Sequence, residues 1–135
     1  LETSDVTCQK STGPKVTNSG FTRAVERLKA AGFTAADIGV YLLMGLPGEP
    51  LEEVVESICF VHEQGVHVKL AESTPIPGTV EWERAREVYG FNPNSGPLLH
   101  NNRVFSLTIG HSRLEEWNRV EQLASDGNRP ILQFL

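Results

Sequence analysis

The chain has 135 residues, enough for one domain with a buried core and too few for a complete eight-stranded α/β barrel of roughly 250 residues. A formal net charge of -5 with dispersed Lys and Arg argues against a nucleic-acid surface, and 39% hydrophobic against 21% charged residues excludes a disordered chain. No run approaches the roughly 18 apolar residues of a membrane span, and Cys8 and Cys59 are too few and too far apart for a disulfide framework or a clustered metal motif, so a soluble protein of the reducing, cytoplasmic compartment is expected.

The chain opens on Leu1-Glu2-Thr3-Ser4-Asp5 without an initiator Met, a signal peptide or a helix-cap signal, as a piece of a longer polypeptide would. Residues 1–3 read as the tail of a preceding strand. Phe21, Ala24, Val25 and Leu28 recur at i, i+3, i+4 and i+7, which predicts an amphipathic helix over residues 19–31 that ends at Gly32. Arg23, Glu26, Arg27 and Lys29 take its other face. Residues 38–44 are too apolar for a half-exposed strand and predict a central strand covered on both faces, as in parallel sheets.

That strand runs into Gly45-Leu46-Pro47-Gly48-Glu49. Pro50, Glu52 and Glu53 suit a first helical turn, and Leu51, Val54, Val55 and Ile58 predict a helix over residues 51–64, with Cys59 expected as a small core residue. Val66, Val68 and Leu70 then alternate with polar or small neighbours as in a strand, which ends in the turn Thr74-Pro75-Ile76-Pro77-Gly78-Thr79. Trp82, Ala85 and Tyr89 mark a third helix that starts near Thr79, whose hydroxyl is placed to cap it.

This alternation predicts an α/β fold with parallel strands and right-handed crossovers. Residues 90–101, rich in Gly, Pro and Asn, form a loop that leaves the pattern, and residues 104–109 have short strand character. Ser112-Arg113-Leu114-Glu115 supplies a capping box for a last helix with Leu114, Trp117, Val120 and Ala124 along one side, ending before Gly127. The organisation is therefore βα units over residues 1–89, followed by a loop and carboxy-terminal extension over residues 90–135.

In parallel sheets, ligands gather at the carboxyl ends of strands. The turn Gly45-Leu46-Pro47-Gly48-Glu49 lies at such an end: its glycines allow backbone groups to approach a ligand, and Glu49 can accept from a ligand amine. It also reads as a plain strand-to-helix connection with Glu49 as a helix-start carboxylate. The turn lacks the length and the Lys of a phosphate loop, and its charge disfavours phosphate. Thr74, Pro75 and Ile76 sit at the end of the next strand, as ligand groups or as a rigid connector. Neighbouring parallel strands would bring both turns to one pocket, with Glu2, Ser4 and Asp5 at the end of the preceding strand. The four histidines, Trp82 and Trp117 read as polar or packing residues, and no Ser-His-Asp order or paired-carboxylate site is defensible from spacing.

Leu1-Glu2-Thr3-Ser4, Tyr41-Leu42-Leu43-Met44-Gly45-Leu46-Pro47-Gly48-Glu49 and Thr74-Pro75-Ile76-Pro77-Gly78-Thr79 together resemble the later strands of radical S-adenosylmethionine (radical SAM) enzymes, and within them the cobalamin-associated iron-sulfur oxidoreductase branch. The resemblance covers about residues 1–89. It implies a partial (β/α) barrel with a 4Fe-4S cluster at the carboxyl ends of its strands, where S-adenosylmethionine is cleaved to a 5′-deoxyadenosyl radical; many members of that branch are associated with cobalamin, which leaves cobalamin open as a further cofactor of the parent.

By motif position, the resemblance puts Glu2 and Ser4 near the ribose or methionine portion, Gly45, Leu46, Pro47, Gly48 and Glu49 near the adenosyl group, and Thr74, Pro75 and Ile76 near adenine. Lys10 or Lys15 would meet the methionine carboxylate. The family's CxxxCxxC cluster motif is absent, and Cys8 and Cys59 do not replace it. The chain is thus expected as the carboxy-terminal half of such a barrel, inactive alone, with the amino-terminal half as its partner and with self-association through exposed edges and helix flanks. The competing expectation is a self-sufficient, non-catalytic α/β binding or interaction domain that keeps the turns for structure.

Overall fold

The computed structural model describes residues 1–11, 16–89 and 114–132. The expected loop at 90–101, the strand at 104–109, Ser112 of the capping box and Lys15 lie outside the described residues. The elements in chain order are α1 (Val6–Ser11), α2 (Asn18–Ala30), a one-turn 3-10 helix (Ala35–Asp37), β1 (Gly39–Met44), α3 (Leu51–Glu63), β2 (His67–Glu72), α4 (Val80–Tyr89) and α5 (Leu114–Leu132). The fold is α/β, with its helices around a small parallel sheet.

β1 and β2 pair in parallel from Gly39 opposite His67 to Met44 opposite Glu72, and the Ser73 N–H extends the ladder to the Met44 carbonyl at 2.8 Å. The 51–64 helix expected from the pattern is the crossover, observed as α3. On the other edge of β1, the Leu43 N–H donates to the Glu2 carbonyl at 2.9 Å, so the residues expected as a strand tail lie alongside β1. α1 was not expected. Asp5, a common cap residue, stands just before it, the Asp5 carbonyl accepts the Gln9 N–H at 2.9 Å, and the Thr3 hydroxyl accepts the Asp5 N–H at 3.1 Å to turn the chain.

α2, α3 and α5 cover one face of the sheet. Val40, Leu42 and Met44 are buried with Phe21 and Val25 of α2, Val54, Ile58 and Val61 of α3, and Trp117, Val120 and Ala124 of α5. Alternate residues of β1 point the other way, and Tyr41 is 62% exposed. The expectation of a strand covered on both faces is therefore corrected. Apolarity on both sides of β1 does prepare it for two layers, but only one is supplied by the described residues. Tyr41 instead carries the Lys69 ammonium over its ring, 5.7 Å from the centroid.

Two further expectations change. The core stripe of α3 is Val54, Ser57, Ile58 and Val61, which turns Cys59 outward, so Cys59 is exposed and not a core residue. Ser57 is tolerated in that stripe because the residue 3–4 segment supplies its hydrogen bonds. In α2, only Phe21 and Val25 of the expected stripe are buried, while Ala24 and Leu28 stay exposed. Thr17 caps α2 through its side-chain oxygen, which accepts the Gly20 N–H at 3.2 Å. The Thr79 hydroxyl caps α4 as expected, accepting the Trp82 N–H at 3.2 Å.

α5 runs from the carboxyl ends of the strands, at Trp117, toward their amino ends. It continues to Leu132 and does not stop before Gly127. Gly127 is a packing notch: a Cβ there would enter the His62 imidazole. One residue on, the Asn128 amide donates to the Val68 carbonyl and its oxygen accepts the Val68 N–H, both at 2.8 Å. The same oxygen meets His62 Nε2 at 3.0 Å, which makes that nitrogen the donor. These bonds hold the last turns of α5 helical across a glycine and as far as Pro130 near its end.

Candidate site at the carboxyl ends of the strands

Three chain segments meet beyond the carboxyl ends of the strands: the start of the chain, the turn after β1 and the first turns of α4. They enclose an open cleft of ≈ 320 Å³. The turn after β1 forms one wall through Leu46, Pro47, Gly48, Glu49 and Pro50, and Glu53 extends that wall into α3. Asp5 and Thr7 face it from the start of the chain, and Glu81 and Arg84 from α4.

The turn is shaped by two residues with positive φ, Gly45 at 87° and Gly48 at 80°. The surroundings of the two glycines differ. A Cβ on Gly45 would lie 2.8 Å from the Trp117 ring of α5, whereas a Cβ on Gly48 would meet nothing within 4 Å. Space beside Gly48 is open. At Gly45 the missing side chain is used by Trp117.

Glu49 folds back over its own turn. Its Oε2 accepts the Leu46 N–H at 3.3 Å, and the Gly45 N–H bonds the same carboxylate. Burial nevertheless raises its pKa to about 7, outweighing the lowering by the Leu46 and Gly45 backbone bonds, and Glu53 and Asp5 add smaller repulsions. Its Oε1 is buried and has no hydrogen-bond partner among the described residues, so an acceptor remains available to a donor in the cleft. On the facing side, Arg84 Nη1 lies 3.5 Å from Glu81 Oε1, and Glu81 Oε2 is buried without a hydrogen-bond partner among the described residues. Four carboxylates and one guanidinium favour a ligand with net positive charge and oppose phosphate.

Of the residues proposed from sequence, Asp5, Leu46, Pro47, Gly48 and Glu49 line the cleft together. Gly45 lies behind them. Glu2 serves the ladder through its carbonyl, and Ser4 is tied to α3, its N–H and its hydroxyl each 2.9 Å from Ser57 Oγ. Thr74, Pro75 and Ile76 do not line it: Pro75 is buried, Ile76 is exposed, and Thr74 Oγ1 is buried without a hydrogen-bond partner among the described residues. Lys10 is exposed on α1.

The sequence pattern marks none of Thr7, Glu81 and Arg84, and gives Glu53 only a place in a first helical turn. Glu53 stands four residues after Glu49, and Glu81 and Arg84 occupy the first turns of the helix after the second turn. Residues of that kind are found by asking which helix starts border a turn, and not by motif. No group of three or more His, Cys, Asp or Glu side chains is placed to hold a metal ion among the described residues. None of the described helices is long and apolar enough to cross a membrane. Neither a protein-family model nor a curated protein matches the chain.

Proposed function

We propose that the chain is the carboxy-terminal part of a radical SAM partial barrel and that its cleft forms one wall of the S-adenosylmethionine site. The observation that carries this reading is the convergence of the segments at the carboxyl ends of parallel strands on one acidic cleft, at the turn where the resemblance locates the adenosyl group. Among the described residues, the core packs α2, α3 and α5 on one face of the parallel sheet and leaves Tyr41 exposed on the other, which supports it further, because parallel sheets are ordinarily covered on both faces.

The cleft suits S-adenosylmethionine chemically. Its sulfonium and ammonium are cations, matched by Asp5, Glu49, Glu53 and Glu81, while Arg84 can take the methionine carboxylate. A Cβ on Gly48 would meet nothing within 4 Å, which leaves room beside that residue for the nucleoside, and Glu49 Oε1 is an acceptor suited to a ribose hydroxyl or an amine. An iron-sulfur cluster does not fit this chain. The sequence holds only Cys8 and Cys59, with Cys59 exposed on α3, and cluster ligation takes several convergent thiolates. That cluster, and cobalamin where present, belongs to the amino-terminal part of the parent. When bound, the cluster supplies the electron for cleavage; this chain binds and orients the cofactor.

The test is an amide-resolved NMR titration of the labelled chain with S-adenosylmethionine and, separately, with adenosine triphosphate. The expected result is saturable shifts at Leu46, Gly48 and Glu49 with the first ligand and none there with the second. Gly48→Val is expected to weaken binding about tenfold by filling the open approach. Equal response to both ligands removes the reading.

A second reading, a self-sufficient non-catalytic α/β domain, is favoured by a specific observation: Trp117 occupies the space at Gly45, and Ser4 is engaged by Ser57, so both residues have structural uses. Shifts confined to residues outside the cleft would favour it.

A further inference from the structure

The two sides of the sheet are finished differently. At β2, the outward-pointing N–H and C=O of Val68 are both bonded at 2.8 Å by the Asn128 side chain, which takes the place a next strand would need there. Beyond β1, on the far side of α2, nothing equivalent is found among the described residues. Gly20, Arg23, Ala24, Arg27 and Leu28 line a groove of ≈ 550 Å³ there. Phe21 leans on Phe60 of α3, and Lys29 donates to the Gln64 carbonyl at 2.6 Å. The helical period then puts the groove on the side of α2 turned away from α3.

This groove mixes apolar surface with charge. Leu28 is 38% exposed. Arg23 donates only to the Ser19 carbonyl, at 3.3 Å, and neither Arg23 nor Arg27 forms an ion pair among the described residues. Two guanidinium groups at i and i+4 with an apolar floor between them match a helix that offers carboxylates at the same interval beside small apolar residues. A second copy in a two-fold contact through this groove would bring the Arg23 and Arg27 pairs of both copies together, which is repulsive.

We propose that the α2 groove is a docking surface for an acidic-faced amphipathic helix, supplied by the βα unit that adds to the sheet on the residue 1–3 side. This rests on the partial-barrel reading and adds to it a direction and a partner chemistry: the fold extends past β1 and α2, and not past β2. The apolar positions Ala24 and Leu28, which the sequence pattern assigned to a buried stripe, become buried in that contact.

The probe is a capped synthetic helical peptide with Glu at i and i+4 flanking Ala and Leu, compared with the same peptide carrying Lys at the two Glu positions. Added to the labelled chain at low salt, the Glu peptide is expected to shift the amides of Gly20, Arg23, Ala24, Arg27 and Leu28. It should bind about tenfold more tightly than the Lys peptide, as two exposed charge pairs reversed in sign allow. Arg23→Glu with Arg27→Glu should reverse the preference, with circular dichroism confirming that the fold is kept. Equal affinity for the two peptides, shifts centred on Val68 and Asn128, or an unreversed preference in the double variant would each overturn the proposal. Cofactor binding is read at Leu46, Gly48 and Glu49, so its failure with the peptide preference intact sinks the cofactor reading alone.

Discussion

Replacing Gly45 and Gly48 by Ala separates two roles that the sequence presents as one. Both residues hold positive φ, 87° and 80°, and an L side chain in such a conformation costs about 1–2 kcal/mol. Gly48→Ala should cost no more than that, because its Cβ enters open space. Gly45→Ala adds an overlap with Trp117 at 2.8 Å, and overpacking of this kind costs a further ~1–3 kcal/mol, for a total of about 2–5 kcal/mol. Against a typical stability of ~5–15 kcal/mol, that loss is large. Urea unfolding followed by circular dichroism measures both, with Trp117→Leu as the second arm of a double-mutant cycle. The clash predicts that Gly45→Ala costs less in the Trp117→Leu background, by about 1–3 kcal/mol of coupling. Equal losses at the two glycines, or no coupling to Trp117, would refute the assignment of Gly45 to packing.

Asn128→Ala leaves the Val68 N–H, the Val68 carbonyl and His62 without their shared partner, so a loss of about 2–4 kcal/mol is expected, with faster hydrogen exchange at the Val68 amide. The pKa of Glu49 is raised from 4.5 to about 7 by burial; the folded state therefore holds a proton that the unfolded chain releases, and stability is highest below pH 4.5 and falls as pH rises through about 7. Discounted for solvent screening, that fall is about 1–2 kcal/mol. Glu49→Gln should remove most of it in thermal melts across that range, with Glu72, also raised by burial, leaving a residual slope of the same sign. Cys59→Ser should eliminate one rapidly reacting thiol without a change in melting temperature, since Cys59 is exposed; slow reaction at Cys59 in the folded chain would contradict its placement.

Periodicity and turn chemistry made much of the fold legible. Helices with carboxylates in the first turn and an apolar stripe, such as α3, and strands bounded by glycine, such as β1, carry their own local signals, and both lie within a residue or two of where the pattern puts them. Local pattern does not report what lies across from a face. An apolar run reads the same whether one layer or two covers it, which is why Tyr41 was expected to be covered. The same limit applies to Cys59, where one residue of helix phase decides core or surface, and to Gly127, a stop signal by habit that here accommodates His62. At the site, the turn itself was legible because glycine and proline mark it. Glu53, Glu81 and Arg84 were not, because only the packing of α3 and α4 around the cleft gives ordinary helix charges a common direction.

The most direct measurement of the central claim is the nucleotide sequence encoding the residues that precede Leu1 in the natural transcript. The account predicts an in-frame segment carrying CxxxCxxC at the start of a run of alternating strands and helices. A coding region that lacks those cysteines would contradict it, and would leave the chain as an α/β domain whose cleft serves some other cationic ligand.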